Sequence, residues 1–147
     1  MSLLVNKRAT YDYEIVKKIP AGVVLSGAEV KSLRGKSGSL AGSFVKILES
    51  KPVLINAQIS PYKYADNTDY DPKRSRILFL RKKEIFQLEE ALAVKGLTAV
   101  PLSFELVGKR IKLIIGLGKG KKEFEKRAKI KARELKREAA NAAKYRY

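Results

Sequence analysis

The sequence predicts a mostly β protein, a small closed antiparallel barrel that carries two or three short helices and a basic C-terminal tail. Three observations favour this class. Gly and Pro punctuate the chain at short intervals, the stretches between them are apolar and of strand length, and only two segments have a helical pattern. Because parallel strands need crossover connections, so few helices favour an antiparallel sheet. A small closed barrel is the economical architecture for these elements.

Six stretches have the length and composition of strands. In the first, Tyr11, Tyr13 and Ile15 alternate with acidic residues, which is the period of a strand with one buried face. The segment 107–110 leaves only a turn-length gap before the last strand and predicts an antiparallel hairpin. The predicted strands are Tyr11 to Val16, Phe44 to Leu48, Val53 to Ile59, Ile77 to Leu80, Leu97 to Leu106 and Ile111 to Leu117.

Two segments between the strands are predicted to be helices. Ser26 and Glu29 have the spacing of a capping box, so we expect a helix that begins there and ends near Gly35. A second helix is predicted from about Lys82 to Lys95, with Gly96 as its stop. The inward-facing residues of the two helices are expected to be Val30, Leu33, Ile85, Leu88 and Leu92.

The composition excludes several classes of chemistry. The chain has 147 residues, a formal net charge of +17, no His and no Cys. It therefore lacks the residues for Ser-His-Asp relays, thiol nucleophiles, disulfides and His or Cys metal sites. The first residues are too polar for a secretory signal, and no apolar run reaches the ~20 residues of a membrane helix. We expect a soluble cytoplasmic protein whose partner is a nucleic acid rather than an anionic membrane.

The positive charge is spread unevenly between a body and a tail. Residues 1–118 have a net charge of +9, and residues 119–147 have a net charge of +8. We expect a barrel domain over 1–118 and a basic tail over 119–147. The tail has high helix propensity but a weak apolar stripe, which predicts disorder in the free protein and a helix on a surface that neutralises its charge. A solvated tail that only raises solubility is the alternative.

Several short motifs partly resemble phosphate-, dinucleotide- or metal-binding sites. Gly35-Lys36-Ser37 lacks the first glycine of a phosphate-binding loop, and the glycines at 116, 118 and 120 have the wrong spacing for a dinucleotide loop. Asp66, Asp69 and Asp71 favour a solvated turn, and a metal-dependent nuclease using them remains an alternative. Basic clusters of the body favour a phosphate-binding surface. The tyrosines at 11, 13, 62, 64 and 70 either stack on bases or pack at the barrel ends.

Several segments together resemble small protein B, the SsrA-binding protein family of bacterial trans-translation. Most of the resemblance lies in the stretch Gly27-Ala28-Glu29-Val30-Lys31-Ser32-Leu33-Arg34 and in Gly120-Lys121-Lys122 followed by Lys126-Arg127. The matching segments occur in the family's order and span nearly the whole chain. They are 6–13, 22–34, 59–62, 71–76, 84–85, 95–102 and 119–127.

The resemblance implies an oligonucleotide-binding-type barrel that binds the tRNA-like domain of transfer-messenger RNA and delivers that RNA to stalled ribosomes. It implies a monomeric binding protein without catalytic residues, cofactor or metal, whose tail enters the decoding centre and the vacant mRNA channel of the small subunit. A ribosomal structural protein is the alternative. The candidate RNA-binding residues are Asn6, Lys7, Arg8, Tyr13, Glu29, Lys31, Arg34, Arg74 and Arg76. The candidate decoding-centre residues are Lys119, Gly120, Lys121, Lys122, Phe124, Lys126 and Arg127.

The chain departs from the family pattern at several places, among them Tyr11, where His or Phe is commoner, and the small Ala142-Ala143 of the tail. Phe124-Glu125 stands where the family usually has His or Tyr followed by Asp, so Phe124 can stack on a base but cannot donate a hydrogen bond from its ring. Pro20 stands where many members have an acidic residue.

Overall fold

The computed structural model describes residues 1–120 and Arg133, and in that part of the chain it has nine strands and three helices. In chain order these are β1 Ser2–Val5, α1 Ala9–Asp12, β2 Tyr13–Val23, α2 Gly27–Arg34, β3 Gly38–Ser39, β4 Phe44–Leu48, β5 Lys51–Ile55, β6 Gln58–Ile59, β7 Arg76–Phe79, α3 Lys82–Ala93, β8 Thr98–Val107 and β9 Arg110–Gly120.

Seven strands form one antiparallel sheet in the order β1-β8-β9-β2-β7-β5-β4, and β3 and β6 form a separate small sheet. The mostly β, antiparallel class with a few helices is therefore confirmed. The predicted closure of the barrel is not seen, because no hydrogen-bonded ladder joins the edge strands β1 and β4 among the described residues. The sheet curls until β4 lies against β8 across the core, but it stays open.

Most predicted strands form, with shifted ends. The predicted hairpin is present, with Val107 paired to Arg110. Strand β1 was not predicted. The strand predicted from Tyr11 corresponds to β2 and begins two residues later, because the carbonyl of Arg8 accepts hydrogen bonds from the amides of Tyr11 and Asp12 and makes the one-turn helix α1. The predicted strand 53–59 is interrupted at Asn56, whose φ of 63° separates β5 from β6.

Both predicted helices form where the local signals place them. The Ser26 Oγ accepts from the Glu29 amide at 3.2 Å, and the Glu29 carboxylate accepts from the Ser26 amide at 3.0 Å, which is the predicted capping box of α2. Helix α3 begins at Lys82 as predicted and ends at Ala93, and Gly96 then takes a left-handed φ of 63°.

The core lies between the inner face of the curled sheet and helices α2 and α3. Period-2 alternation along β9 sends Leu113 and Ile115 inward, where they are fully buried with Phe104 of β8. Leu33 of α2 and Leu88 of α3 cover this layer and are also fully buried. Each such side chain contributes about 1.5 to 3 kcal/mol. None of the described helices is long and apolar enough to cross a membrane.

Candidate nucleic-acid interface

A buried ion pair lies beneath the N-terminus of α2. The side chains of Glu29 and Arg76 are 1% and 0% exposed. The Nε and Nη2 atoms of Arg76 donate to Glu29 Oε2 at 2.9 and 2.6 Å, and Arg74 Nη2 donates to Glu29 Oε1. Glu29 and Arg76 were predicted to contact RNA, and this part of the prediction is corrected: both side chains lie in the interior and present no surface to a ligand.

The environment of this carboxylate keeps it ionised. Burial raises the pKa of Glu29, but hydrogen bonds from Arg74, from the Ser26 backbone and from Arg76 outweigh burial and lower the pKa from 4.5 to about 2. The hydroxyl of Tyr70 donates to Glu29 Oε2 at 3.1 Å. Burial and the negative charge of Glu29 raise the pKa of Tyr70, so this tyrosine stays protonated.

Arg76 also fixes the connection between β6 and β7. Its Nη1 donates to the carbonyl of Ala57 at 2.6 Å, and its Nη2 donates to the carbonyl of Pro72 at 3.0 Å. Within the described part of the chain, every buried polar side-chain atom has a hydrogen-bond partner. A buried arginine is therefore tolerated here because its charge is paired and its donors are used.

The exposed cations of α2 lie above this pair. Lys31 and Arg34 are both exposed, as a phosphate contact requires. Arg74 is only partly exposed, because its guanidinium donates to Glu29 and, at 3.4 Å, to the carbonyl of Val24. Of the predicted residues around α2, Lys31 and Arg34 thus offer free cationic surface, whereas Arg74 is mostly engaged.

The predicted residues of the N-terminal segment differ in exposure. Asn6 is buried, with its Nδ2 donating to the carbonyl of Pro101 at 2.9 Å, so it anchors β1 to β8. Lys7 and Arg8 are exposed, and Arg8 pairs with Asp12 at 3.6 Å. Tyr13 is half-buried and begins β2.

The far end of the β2–β9 ladder brings two predicted groups together. Tyr13 pairs with Gly120, and Glu14 pairs with Lys119. The first two predicted decoding-centre residues are therefore the last two residues of β9. They lie beside the N-terminal candidates.

A further surface, which the sequence did not predict, surrounds β7. Alternation along β7 buries Arg76 and Leu78 and leaves Ile77 and Phe79 exposed, with Phe79 64% exposed. Phe79 lines a cavity of about 300 Å³ with three cations of the β8–β9 turn region. These cations are Lys109, Arg110 and Lys112. We call these four residues the Phe79 surface. Alternation puts Ile77 and Phe79 on one face and Arg76 and Leu78 on the other, and the burial of Arg76 with Glu29 decides that Phe79 points outward.

The whole chain is similar to proteins of one family. The SmpB protein family matches residues 3–145. This chain belongs to the SmpB family. An SsrA-binding protein of Sulfurihydrogenibium sp. is 45% identical over 95% of this chain and 91% of its own length. An SsrA-binding protein of Protochlamydia amoebophila is 39% identical over 97% of this chain and 93% of its own length. A solved structure described as "tmRNA-SmpB: a journey to the center of the bacterial ribosome" aligns with a TM-score of 0.68, at 40% identity over 82% of this chain and 85% of that chain.

The SmpB match continues past the residues that the structure describes. The predicted decoding-centre residues Lys121, Lys122, Phe124, Lys126 and Arg127 lie outside the described residues, as does the departure at Glu125. The predicted division after residue 118 falls within β9, which continues to Gly120.

The alternative motifs have structural explanations. Asp66 Oδ1 accepts from the amide and hydroxyl of Thr68 at 3.1 and 2.5 Å, and these bonds lower the pKa of Asp66. Asp71 accepts from the amide of Lys73 at 3.0 Å. Both carboxylates thus stabilise turns, and no acidic cluster of the described residues could hold a metal. Gly116 and Gly118 lie inside strand β9 rather than in a loop.

Proposed function

We propose that this protein binds the tRNA-like domain of transfer-messenger RNA and brings this RNA to stalled ribosomes in trans-translation. The observation that carries the proposal is the SmpB family match over residues 3–145. Relatives near 40% identity are named for binding SsrA, and a structural neighbour is described with tmRNA in the bacterial ribosome.

We assign the RNA contact to the region around the cavity that α2 and the Phe79 surface both line. Lys31 and Arg34 supply exposed cations, and the cavity beside Phe79 reaches Val30 of the same helix. An exposed aromatic ring among cations fits a nucleotide, since the ring stacks on a base while the cations bind phosphates. The antiparallel sheet is the oligonucleotide-binding-type platform for this contact.

The opposite end of the β2–β9 ladder is assigned to the ribosome. Lys119 is exposed there, and residues 121–147 follow one residue later. The exposed Lys7 and Arg8 beside it stay assigned to transfer-messenger RNA. We propose that Lys119 to Arg127 act in the decoding centre and that the tail follows the vacant mRNA channel. The protein then acts as a monomer, in the cytoplasm with the ribosomes, by binding rather than by catalysis.

Binding assays with matched variants test the RNA surface. The tRNA-like domain should bind more tightly than ordinary tRNA or duplex DNA at near-physiological salt. Phe79→Ala should weaken this binding by about 1 to 3 kcal/mol, the contribution of one stacked base. Phe86→Ala is the matched control, because Phe86 is 67% exposed on α3 beside the acidic Glu89 and Glu90. Equal affinity for the three nucleic acids would refute the function, and equal losses in both variants would refute the assigned surface.

A further inference from the structure

The connection between β6 and β7 carries two tyrosines and a lysine to which the proposal above gives no role, and Lys31 of α2 lies beside them. Tyr62 and Tyr64 pack edge to face, with ring centroids 5.4 Å apart. The Nζ of Lys31 lies 5.5 Å from the centroid of Tyr62, and the Nζ of Lys63 lies 4.8 Å from that of Tyr64. We call these four residues the tyrosine cluster. Tyr64 is 74% exposed, so a large aromatic surface faces solvent.

This connection is held in shape although it has no helix or strand. The Nδ2 of Asn67 donates to the carbonyls of Tyr62 and Ala65 at 2.8 and 3.1 Å. The Ser32 hydroxyl of α2 donates to the carbonyl of Ser60 at 2.6 Å. The start of the tyrosine-bearing segment is thus fixed to α2, and its end is folded back onto its own backbone through Asn67.

The buried ion pair fixes the other side of the same connection. The single O–H of Tyr70 is shared between the carbonyl of Ile59 at 2.8 Å and Glu29 Oε2 at 3.1 Å, and Arg76 donates to the carbonyl of Pro72. A ligand that binds the tyrosine cluster therefore meets a backbone that is already ordered, and little conformational entropy is lost on binding.

The chemistry of the cluster favours one kind of ligand. An exposed ring accepts a stacked base of any sequence, and the two ammonium groups beside the rings suit the phosphates that flank it. The Glu29 carboxylate below is paired with two arginines, so among these groups the exposed Asp66, which accepts from Thr68, opposes the two ammonium charges. Lys31 belongs to α2, so the cluster is continuous with the surface assigned to transfer-messenger RNA.

We infer that the tyrosine cluster is a binding site for an unpaired nucleotide of transfer-messenger RNA, whose base stacks on Tyr64 and whose phosphates contact Lys31 and Lys63. The inference rests on the proposed function and extends it to a second point of contact. Sequence alone left Tyr62, Tyr64 and Tyr70 equivalent, whereas the structure gives Tyr70 an internal role and Tyr64 an external one.

Substitutions of Tyr64 test the stacking directly in the full chain. Tyr64→Leu removes the π face and should weaken binding of the tRNA-like domain by about 5- to 150-fold, whereas Tyr64→Phe should keep wild-type affinity. Because position 64 is exposed, the melting temperature should be unchanged in both the Leu and the Phe variant. Equal affinity of the Leu and Phe variants would overturn the inference.

The chain has no tryptophan, which gives a second readout. Tyr64→Trp introduces a single indole whose fluorescence should be quenched when the tRNA-like domain binds, and Phe86→Trp should show no quenching. Binding without quenching of Tyr64→Trp would overturn the inference and leave the proposed function intact. Absence of any binding by the wild-type chain would refute the proposed function itself. Quenching by isolated small ribosomal subunits but not by the tRNA-like domain would assign the site to ribosomal RNA and overturn it for transfer-messenger RNA.

Discussion

Replacing Glu29 by Gln tests the buried ion pair and the assignment of Glu29 to the interior. The substitution keeps the size of the side chain, and its amide oxygen can still accept from the Ser26 amide at the start of α2. It removes the negative charge that faces Arg76, whose side chain has no exposed surface. The variant therefore leaves a buried guanidinium unpaired while the helix cap remains.

The expected cost follows from the pKa of Glu29. The fall of the pKa from 4.5 to about 2, at about 1.4 kcal/mol for each unit, corresponds to about 3.5 kcal/mol. Removing one partner of a buried pair costs about 3 to 5 kcal/mol, which agrees. We expect Glu29→Gln to lower the free energy of unfolding by about 3.5 kcal/mol at pH 7, or the melting temperature by about 7 to 14 °C.

The same pair sets an acid dependence of stability. Because the pKa of Glu29 is lower in the folded chain than in the unfolded one, its contribution is fully present above about pH 5. It is lost as the pH falls from 4.5 toward 2. The difference between wild type and Glu29→Gln should therefore shrink steadily over this range.

Glu84→Gln is the matched control in denaturant titrations at pH 7, 4 and 3. Glu84 accepts from the amide of Arg81 at 3.1 Å, so it occupies the same capping position in α3, but it is only half-buried. Its substitution should cost less than about 0.5 kcal/mol. Similar losses for the two glutamates, or a loss at Glu29 that does not change between pH 7 and pH 3, would contradict the argument.

Two further predictions concern the β4–β5 hairpin and the tail. The two-residue turn between β4 and β5 holds Glu49 and Ser50 at φ of 49° and 61°, values that glycine adopts without strain. Ser50→Gly should therefore stabilise the chain by about 0.5 to 1 kcal/mol, whereas the control Ser37→Gly should not. A lower melting temperature for Ser50→Gly would contradict the turn geometry. Truncation after Gly120, which keeps β9 complete, should leave binding of the tRNA-like domain largely intact and abolish peptide tagging on stalled ribosomes; tagging by the truncated chain would refute the assigned division of labour.

The features that the sequence predicted correctly depend on neighbouring residues. The cap of α2 needs only Ser26 and Glu29, three residues apart, and the last hairpin needs only a turn-length gap between two strands. The one-turn helix α1 was missed because Tyr11 and Tyr13 fit the period of a strand equally well. There a single backbone carbonyl, that of Arg8, decides the outcome.

The features that it missed depend on distant residues. Closure of the barrel requires pairing between β1 and β4, and no local pattern reports whether two edge strands will meet. Arg76 was placed on the surface because arginine is almost never fully buried unless it is paired. Its partner, Glu29, lies 47 residues earlier in the chain.

The burial of Glu29 changes how a loss of RNA binding at this motif should be interpreted. Glu29 accepts from Tyr70 and lies on the same helix as Lys31 and Ser32. Ser32 and Tyr70 both hold the connection that carries Tyr62 and Tyr64. Substituting Glu29 would shift the exposed side chains that contact RNA, although Glu29 itself makes no such contact. The part of the affinity loss in Glu29→Gln that comes from unfolding should therefore recover in stabilising osmolyte, where the native population returns. A loss in Tyr64→Leu or Phe79→Ala should persist under the same conditions, since those variants remain folded and lack the contact itself.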